Sequence, residues 1–97
     1  MATLYVFESE QAPLDVYDRI NSQIQQPPEG LLCHIASVKD GGGLIVFEVW
    51  QSEEQQDRWD AQIQQRISAA GGPPRPAPRK YRVHNMRFGD TQTAGAR

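Results

Sequence analysis

Apolar residues recur along this chain with two periods, and the switches between them lay out the elements. Thr3-Leu4-Tyr5-Val6-Phe7 is dense in β-formers and too short for a helix, which predicts a first strand with Thr3, Tyr5 and Phe7 on one face and Leu4 and Val6 on the other. Pro13 falls where a first helical turn tolerates it, and Val16, Tyr17, Ile20 and Ile24 follow at helical spacing down to a stop at Pro27-Pro28. Leu31 to Val38 and Leu44 to Trp50 predict two more strands, antiparallel neighbours joined by Lys39-Asp40-Gly41-Gly42-Gly43. Ser52 with Gln55 three residues on is a capping-box pattern, behind which Trp59, Ile63, Ile67 and Ala70 share one face of a second helix that Gly71-Gly72 ends.

Four prolines in the seven residues from Pro73 to Arg79 exclude helix and central strand, so this stretch is expected to be an extended connector. Its Pro73 to Pro76 spacing also fits a proline-recognition motif, but a stiff loop carrying the chain back across the sheet is the simpler reading. Lys80 to Phe88 alternates again and predicts a fourth strand, with Tyr81, Val83, Asn85 and Arg87 on one face and Arg82, His84, Met86 and Phe88 on the other.

The order β-α-β-β-α-β is the split arrangement of ferredoxin-like α+β domains: a four-stranded antiparallel sheet with two helices on one face. The remaining face is apolar in every strand and needs a cover, and a second copy packing sheet to sheet in a closed homodimer is the economical one. One domain is expected over residues 1–90, with 73–79 a proline-rich loop inside it and 91–97 a flexible C-terminal tail.

Charge adds a folding constraint. Residues 1–72 carry 4 basic and 11 acidic side chains and residues 73–97 carry 6 and 1, leaving −7 and +5, so the C-terminal segment should fold back on the acidic body. That body would repel a phosphate backbone, which argues against nucleic acid. No apolar run is long enough for a bilayer and the start lacks signal-peptide character, so no membrane partner and a cytoplasmic location are expected. A single cysteine, Cys33, excludes an intramolecular disulfide and any multi-cysteine metal site. No metal-ligand cluster is visible, and no metal or cofactor is expected.

Three positions stand out against this scaffold. His34 alternates with Leu32, Ala36 and Val38, so it either meets a partner or faces a cavity. Glu48 is a lone acid between Phe47 and Val49 in a central strand, expected to pair with an arginine of the fourth strand or to accept a proton in a pocket. Trp59 shares the sheet-facing stripe of the second helix, as core or as a pocket wall. Cys33 projects opposite His34, which disfavours a Cys/His pair.

Two stretches are specific enough to suggest a family: Pro28-Glu29-Gly30-Leu31-Leu32 entering the second strand, and Phe47-Glu48-Val49-Trp50-Gln51-Ser52-Glu53-Glu54 at the junction of the third strand and second helix. With them the chain resembles the antibiotic biosynthesis monooxygenase-like domains of the dimeric α+β barrel superfamily, over roughly residues 3–88. The resemblance implies an α+β homodimer and leaves activity open, because members include cofactor-free monooxygenases, haem-degrading enzymes, cyclases and proteins of unknown role. Haem degradation is disfavoured. Trp59 stands at that branch's tryptophan spacing from Trp50, but Ala69 occupies the place of its iron-ligating histidine and the first strand lacks its asparagine.

What the resemblance favours is a cofactor-free monooxygenase or cyclase, acting on a small aromatic or polyketide-like ligand held between helices and sheet, where the deprotonated substrate itself passes an electron to oxygen. Such a pocket needs apolar walls and a base. Tyr5, Phe7, Tyr17, Phe47, Trp59 and Met86 are the candidate walls, and His34, His84, Asn85, Tyr81 and Arg82 the candidate polar contacts, with His34 as catalytic base. The alternative is a non-catalytic homodimeric module that binds a small ligand or serves as a scaffold.

Overall fold

A computed structural model describes residues 1–10 and 13–89. Strands β1 (Thr3–Ser9), β2 (Leu31–Val38), β3 (Leu44–Trp50) and β4 (Arg79–Arg82) and helices α1 (Leu14–Gln23) and α2 (Glu53–Ala69) follow in the order β1-α1-β2-β3-α2-β4. The strands form one antiparallel sheet in the spatial order β2-β3-β1-β4, the ferredoxin-like α+β arrangement.

Cross-strand register decides what the helices cover. Thr3, Tyr5, Phe7 and Ser9 stand opposite Trp50, Glu48, Val46 and Leu44, and His34, Ala36 and Val38 opposite Glu48, Val46 and Leu44, so these residues share one face. Tyr5, Phe7, Leu44, Val46 and Trp50 form the buried core there, with Tyr17 and Trp59 of the helices packed against it. The other face carries Leu4, Val6, Cys33, Ile35, Ile45, Phe47, Val49 and Tyr81, and Ile35 and Tyr81 are each about half exposed.

The two helices are anchored unequally. Ser52 is the N-cap expected from the sequence, accepting from the Gln55 backbone N–H, while the Gln55 side chain takes its bond from the Ser52 hydroxyl instead of the Ser52 N–H of a full capping box. Pro13 offers α1 no side-chain cap, and α1 ends at Gln23 with Ile24 already extended, earlier than the prolines require. Between β2 and β3, Gly41, Gly42 and Gly43 all take positive φ, which turns the chain back at little cost.

Two expectations need correction. A bulge between Leu31 and Cys33 shifts the register, so Leu31 and not Leu32 shares the face of His34. Strand β4 ends at Arg82 instead of Phe88: Arg82 pairs with Thr3, the first residue of β1, and one further bond, Val83 N–H to Ala2 O, follows. The predicted tail over 91–97 lies outside the described residues. The charge reading holds among those described, since Arg75 meets Glu48 and Asp60, Arg79 meets Glu8, and Lys80 meets Glu53.

Candidate active site

A cavity of about 350 Å³ lies between the helix-covered face of the sheet and the two helices, and Pro73–Pro76 closes one side of it. Its walls are largely apolar: Phe7, Leu44 and Val46 from the sheet, Ile20 from α1, and Trp59 and Ile63 from α2. Ser9, Asn21, Gln25 and Gln26 add polar groups to this lining, and Tyr17, His34, Glu48 and Arg75 form a connected polar group within it. An apolar chamber with a few convergent polar groups is the ordinary form of a small-molecule site.

Glu48 is the centre of the polar group. Register sets Tyr5, Glu48 and His34 in one row across three strands, and Trp50, two residues along, falls on the same face. Glu48 is 2% exposed, yet both carboxylate oxygens are engaged. Trp50 Nε1 donates to Oε1 at 2.9 Å, Arg75 Nη2 donates to Oε2 at 2.8 Å, and His34 Nδ1 lies 3.4 Å from Oε2, long for a hydrogen bond. Burial by itself pushes the Glu48 carboxyl up, but His34, the Arg75 charge and the Trp50 N–H outweigh it and hold the group below the usual carboxylate range.

Arg75 reaches this centre from a segment without regular structure. Its backbone is clamped by the side-chain amide of Gln64, which accepts from Arg75 N–H at 3.2 Å and donates to its carbonyl at 3.4 Å. The guanidinium lies 3.4 Å above the Phe7 ring centre, and its other nitrogen donates to Asp60 at 3.2 Å. Three structural elements are thus tied together by one side chain.

On the far side of the imidazole, Tyr17 Oη lies 2.8 Å from His34 Nε2. A carboxylate only accepts, so the tautomer that suits Glu48 has its proton on Nδ1, and in that tautomer Nε2 is the acceptor for the Tyr17 hydroxyl. Burial raises the Tyr17 pKa above 10.0, with the charges of Asp18 and Glu48 adding to it, so the phenol stays protonated. The chain Tyr17–His34–Glu48–Arg75 is a base oriented by a carboxylate that an arginine in turn holds ionised.

Of the site residues expected from the sequence, the fold brings His34, Phe7, Tyr17 and Trp59 to the cavity. Tyr5 lies on the same face but is 1% exposed within the core, its hydroxyl without a partner among the described residues. Phe47 stands on the opposite face, because alternation from the inward-facing Glu48 turns it outward. His84 and Asn85 fall beyond the end of β4 and, with Met86 and Arg82, line a separate hollow of about 430 Å³ that also includes Leu4 and Val49 of the open face. Tyr81, paired with Leu4, belongs to that side too.

Sequence reasoning placed the partner of Glu48 on the fourth strand, whereas it is Arg75 of the proline-rich segment; Asp60 and Gln64 were not foreseen. The isolated acid in an apolar strand was the available signal. Among the described residues, no group of three His, Cys, Asp or Glu side chains could hold a metal ion, and no helix is long and apolar enough to cross a membrane.

No protein-family model and no curated protein matches the sequence. Two crystal structures are similar in fold. One, described as a "putative antibiotic biosynthesis monooxygenase" from Chloroflexus aurantiacus J-10-fl, superposes with a TM-score of 0.63 at 14% identity, covering 90% of this chain and 99% of that one. Another, given the same description and from Deinococcus radiodurans, superposes with a TM-score of 0.58 at 15% identity, covering 91% and 97%. The chain shares with both structures its fold, the ferredoxin-like α+β arrangement.

Proposed function

We propose that the protein is a cofactor-free monooxygenase for a small aromatic molecule bearing an acidic hydroxyl, bound in the cavity between helices and sheet. The observation that carries this reading is the position of His34, beside Glu48 in a largely apolar chamber sized for a small aromatic ligand. The likeness in fold to two proteins described as monooxygenases supports it.

In this reading His34 Nε2 takes the proton of a bound phenol, and Glu48 stabilises the imidazolium that forms. The electron-rich phenolate then reacts with dioxygen. One oxygen atom replaces a ring hydrogen as the second carbonyl of a quinone and the other leaves as water, the substrate supplying all four electrons. Apolar walls keep bulk water from the reacting carbon.

The open face of the sheet suits a second copy. Leu4, Ile35 and Phe47 would pack against the same face of a partner in an isologous homodimer, leaving the helix-side cavity of each protomer intact.

The test is oxygen consumption by the purified protein with a panel of naphthols, hydroquinones and anthrones. The expected result is stoichiometric quinone formation with one atom of labelled dioxygen in the product. Ligands that bind in the cavity without oxygen uptake would overturn the enzymatic reading and leave a binding domain.

A further inference from the structure

The base of the cavity already holds a phenol. Tyr17 donates to His34 Nε2 across 2.8 Å, and the two rings lie 11° from parallel with centroids 6.2 Å apart. In the tautomer that suits Glu48, the Nε2 lone pair is the acceptor a ligand hydroxyl would need, and the protein's own hydroxyl occupies it. We infer that Tyr17 is a placeholder: a ligand binds by displacing the Tyr17 hydroxyl from His34 with its own, so that Tyr17 sets which ligands are accepted. This inference rests on the reading of the cavity as a site for phenols.

Three observations support the exchange. The first concerns which side yields. Helix α1, which carries Tyr17, has 10 residues, no side-chain N-cap and Ile20 as its buried residue, whereas α2 has 17 residues and a side-chain N-cap in Ser52, and His34 is fixed in the sheet. Among the described residues, the Tyr17 hydroxyl has no other hydrogen-bond partner, so a change of side-chain rotamer releases it.

The second is acidity. Burial raises the Tyr17 pKa, so its hydroxyl stays a neutral donor, and a ligand hydroxyl intrinsically more acidic than a tyrosine phenol makes the stronger bond to the imidazole and wins the position. The same property keeps Tyr17 itself from being deprotonated and oxidised in place.

The third is charge. Arg75 is the cation on this wall, and its charge is already matched by Glu48 and Asp60. A ligand carboxylate would meet the Glu48 carboxylate and a cation already paired with two acids, which leaves a neutral hydroxyl as the group the site selects.

The experiment compares 2-naphthol with 2-methoxynaphthalene, which has the same ring but cannot donate, by calorimetric titration under nitrogen so that nothing turns over. In the Tyr17→Phe variant the affinity ratio of naphthol to methyl ether is expected to rise about two- to tenfold, the range of one hydrogen bond no longer displaced. The ratio is internal to each protein, so a loss of folded fraction cancels. An unchanged or lowered ratio overturns the placeholder, a lowered one making Tyr17 a donor to the ligand. Failure of naphthol to bind either protein overturns both this inference and the phenol site. A raised ratio without oxygen consumption in air supports the placeholder and overturns only the oxygenation.

Discussion

Arg75, on a segment with no regular structure, donates a hydrogen bond across 2.8 Å to Glu48 in the middle of the sheet. The side chains are 10% and 3% exposed, so neither charge has water to fall back on. Removing one partner therefore costs far more than the pair contributes, because it strands the other. Replacing Arg75 with Met should lower stability by about 3–5 kcal/mol in urea denaturation, and adding Glu48→Met should recover part of the loss. A cost within error of zero would mean that Glu48 finds another counter-charge.

Acid should weaken the fold through the same carboxylate. The Glu48 carboxyl in the folded protein sits below its ordinary value of 4.5, since His34, Arg75 and Trp50 outweigh the upward push of burial. A group whose pKa is depressed by folding contributes stability above its unfolded pKa and loses that contribution as pH falls through the folded value. Between about pH 6 and about pH 3, the urea midpoint of the wild type should fall further than that of a Glu48→Gln variant, most of the difference accruing below about 4.5. Parallel curves would remove Glu48 from the acid response.

His34 carries the proposed chemistry. Changing it to Ala should lower oxygen consumption by about 100- to 10,000-fold, the usual range for a general base, while the circular dichroism spectrum and oligomeric state stay the same. Turnover that survives the change would exclude His34 as the base.

Two glycines of the β2–β3 hairpin separate backbone strain from crowding. Gly41 and Gly43 have φ of +83° and +94°, but a Cβ on Gly41 meets open space, whereas one on Gly43 would stand 2.5 Å from the Ser9 carbonyl oxygen. Each Ala substitution should cost about 1–2 kcal/mol for the left-handed backbone, and Gly43→Ala should cost clearly more because a backbone atom must move. Thermal midpoints of the two variants provide the comparison, and equal losses would mean that β1 yields freely at Ser9.

The open face is tested through Phe47. In sedimentation velocity the wild type should run as a dimer and Phe47→Glu as a monomer, since the change buries a charge at the centre of an apolar contact. Phe47 points away from the cavity, so naphthol binding per chain should persist, and a monomeric wild type would refute the homodimer.

The order of elements was legible in the residues themselves. Period-two runs, a helical stripe behind Ser52, and glycines where the chain must reverse are local signals, and β2 and β3 fall where those signals put them. His34 could be singled out for the same reason, as a polar residue on an apolar alternation. Other features needed the folded chain. Strand β4 stops at Arg82, opposite the first residue of β1, a fact of pairing that no property of residues 83–88 announces. The bulge at Leu31 decides which leucine joins His34, because one extra residue reverses the facing of a strand. Tyr17 and Arg75 lie 17 residues before and 41 residues after His34, and only the fold over the sheet sets both beside the His34–Glu48 pair. A sequence encodes periodicity over a few neighbouring residues, whereas a site assembled from a helix, two strands and a proline-rich segment depends on distances that exist only after the chain has closed on itself.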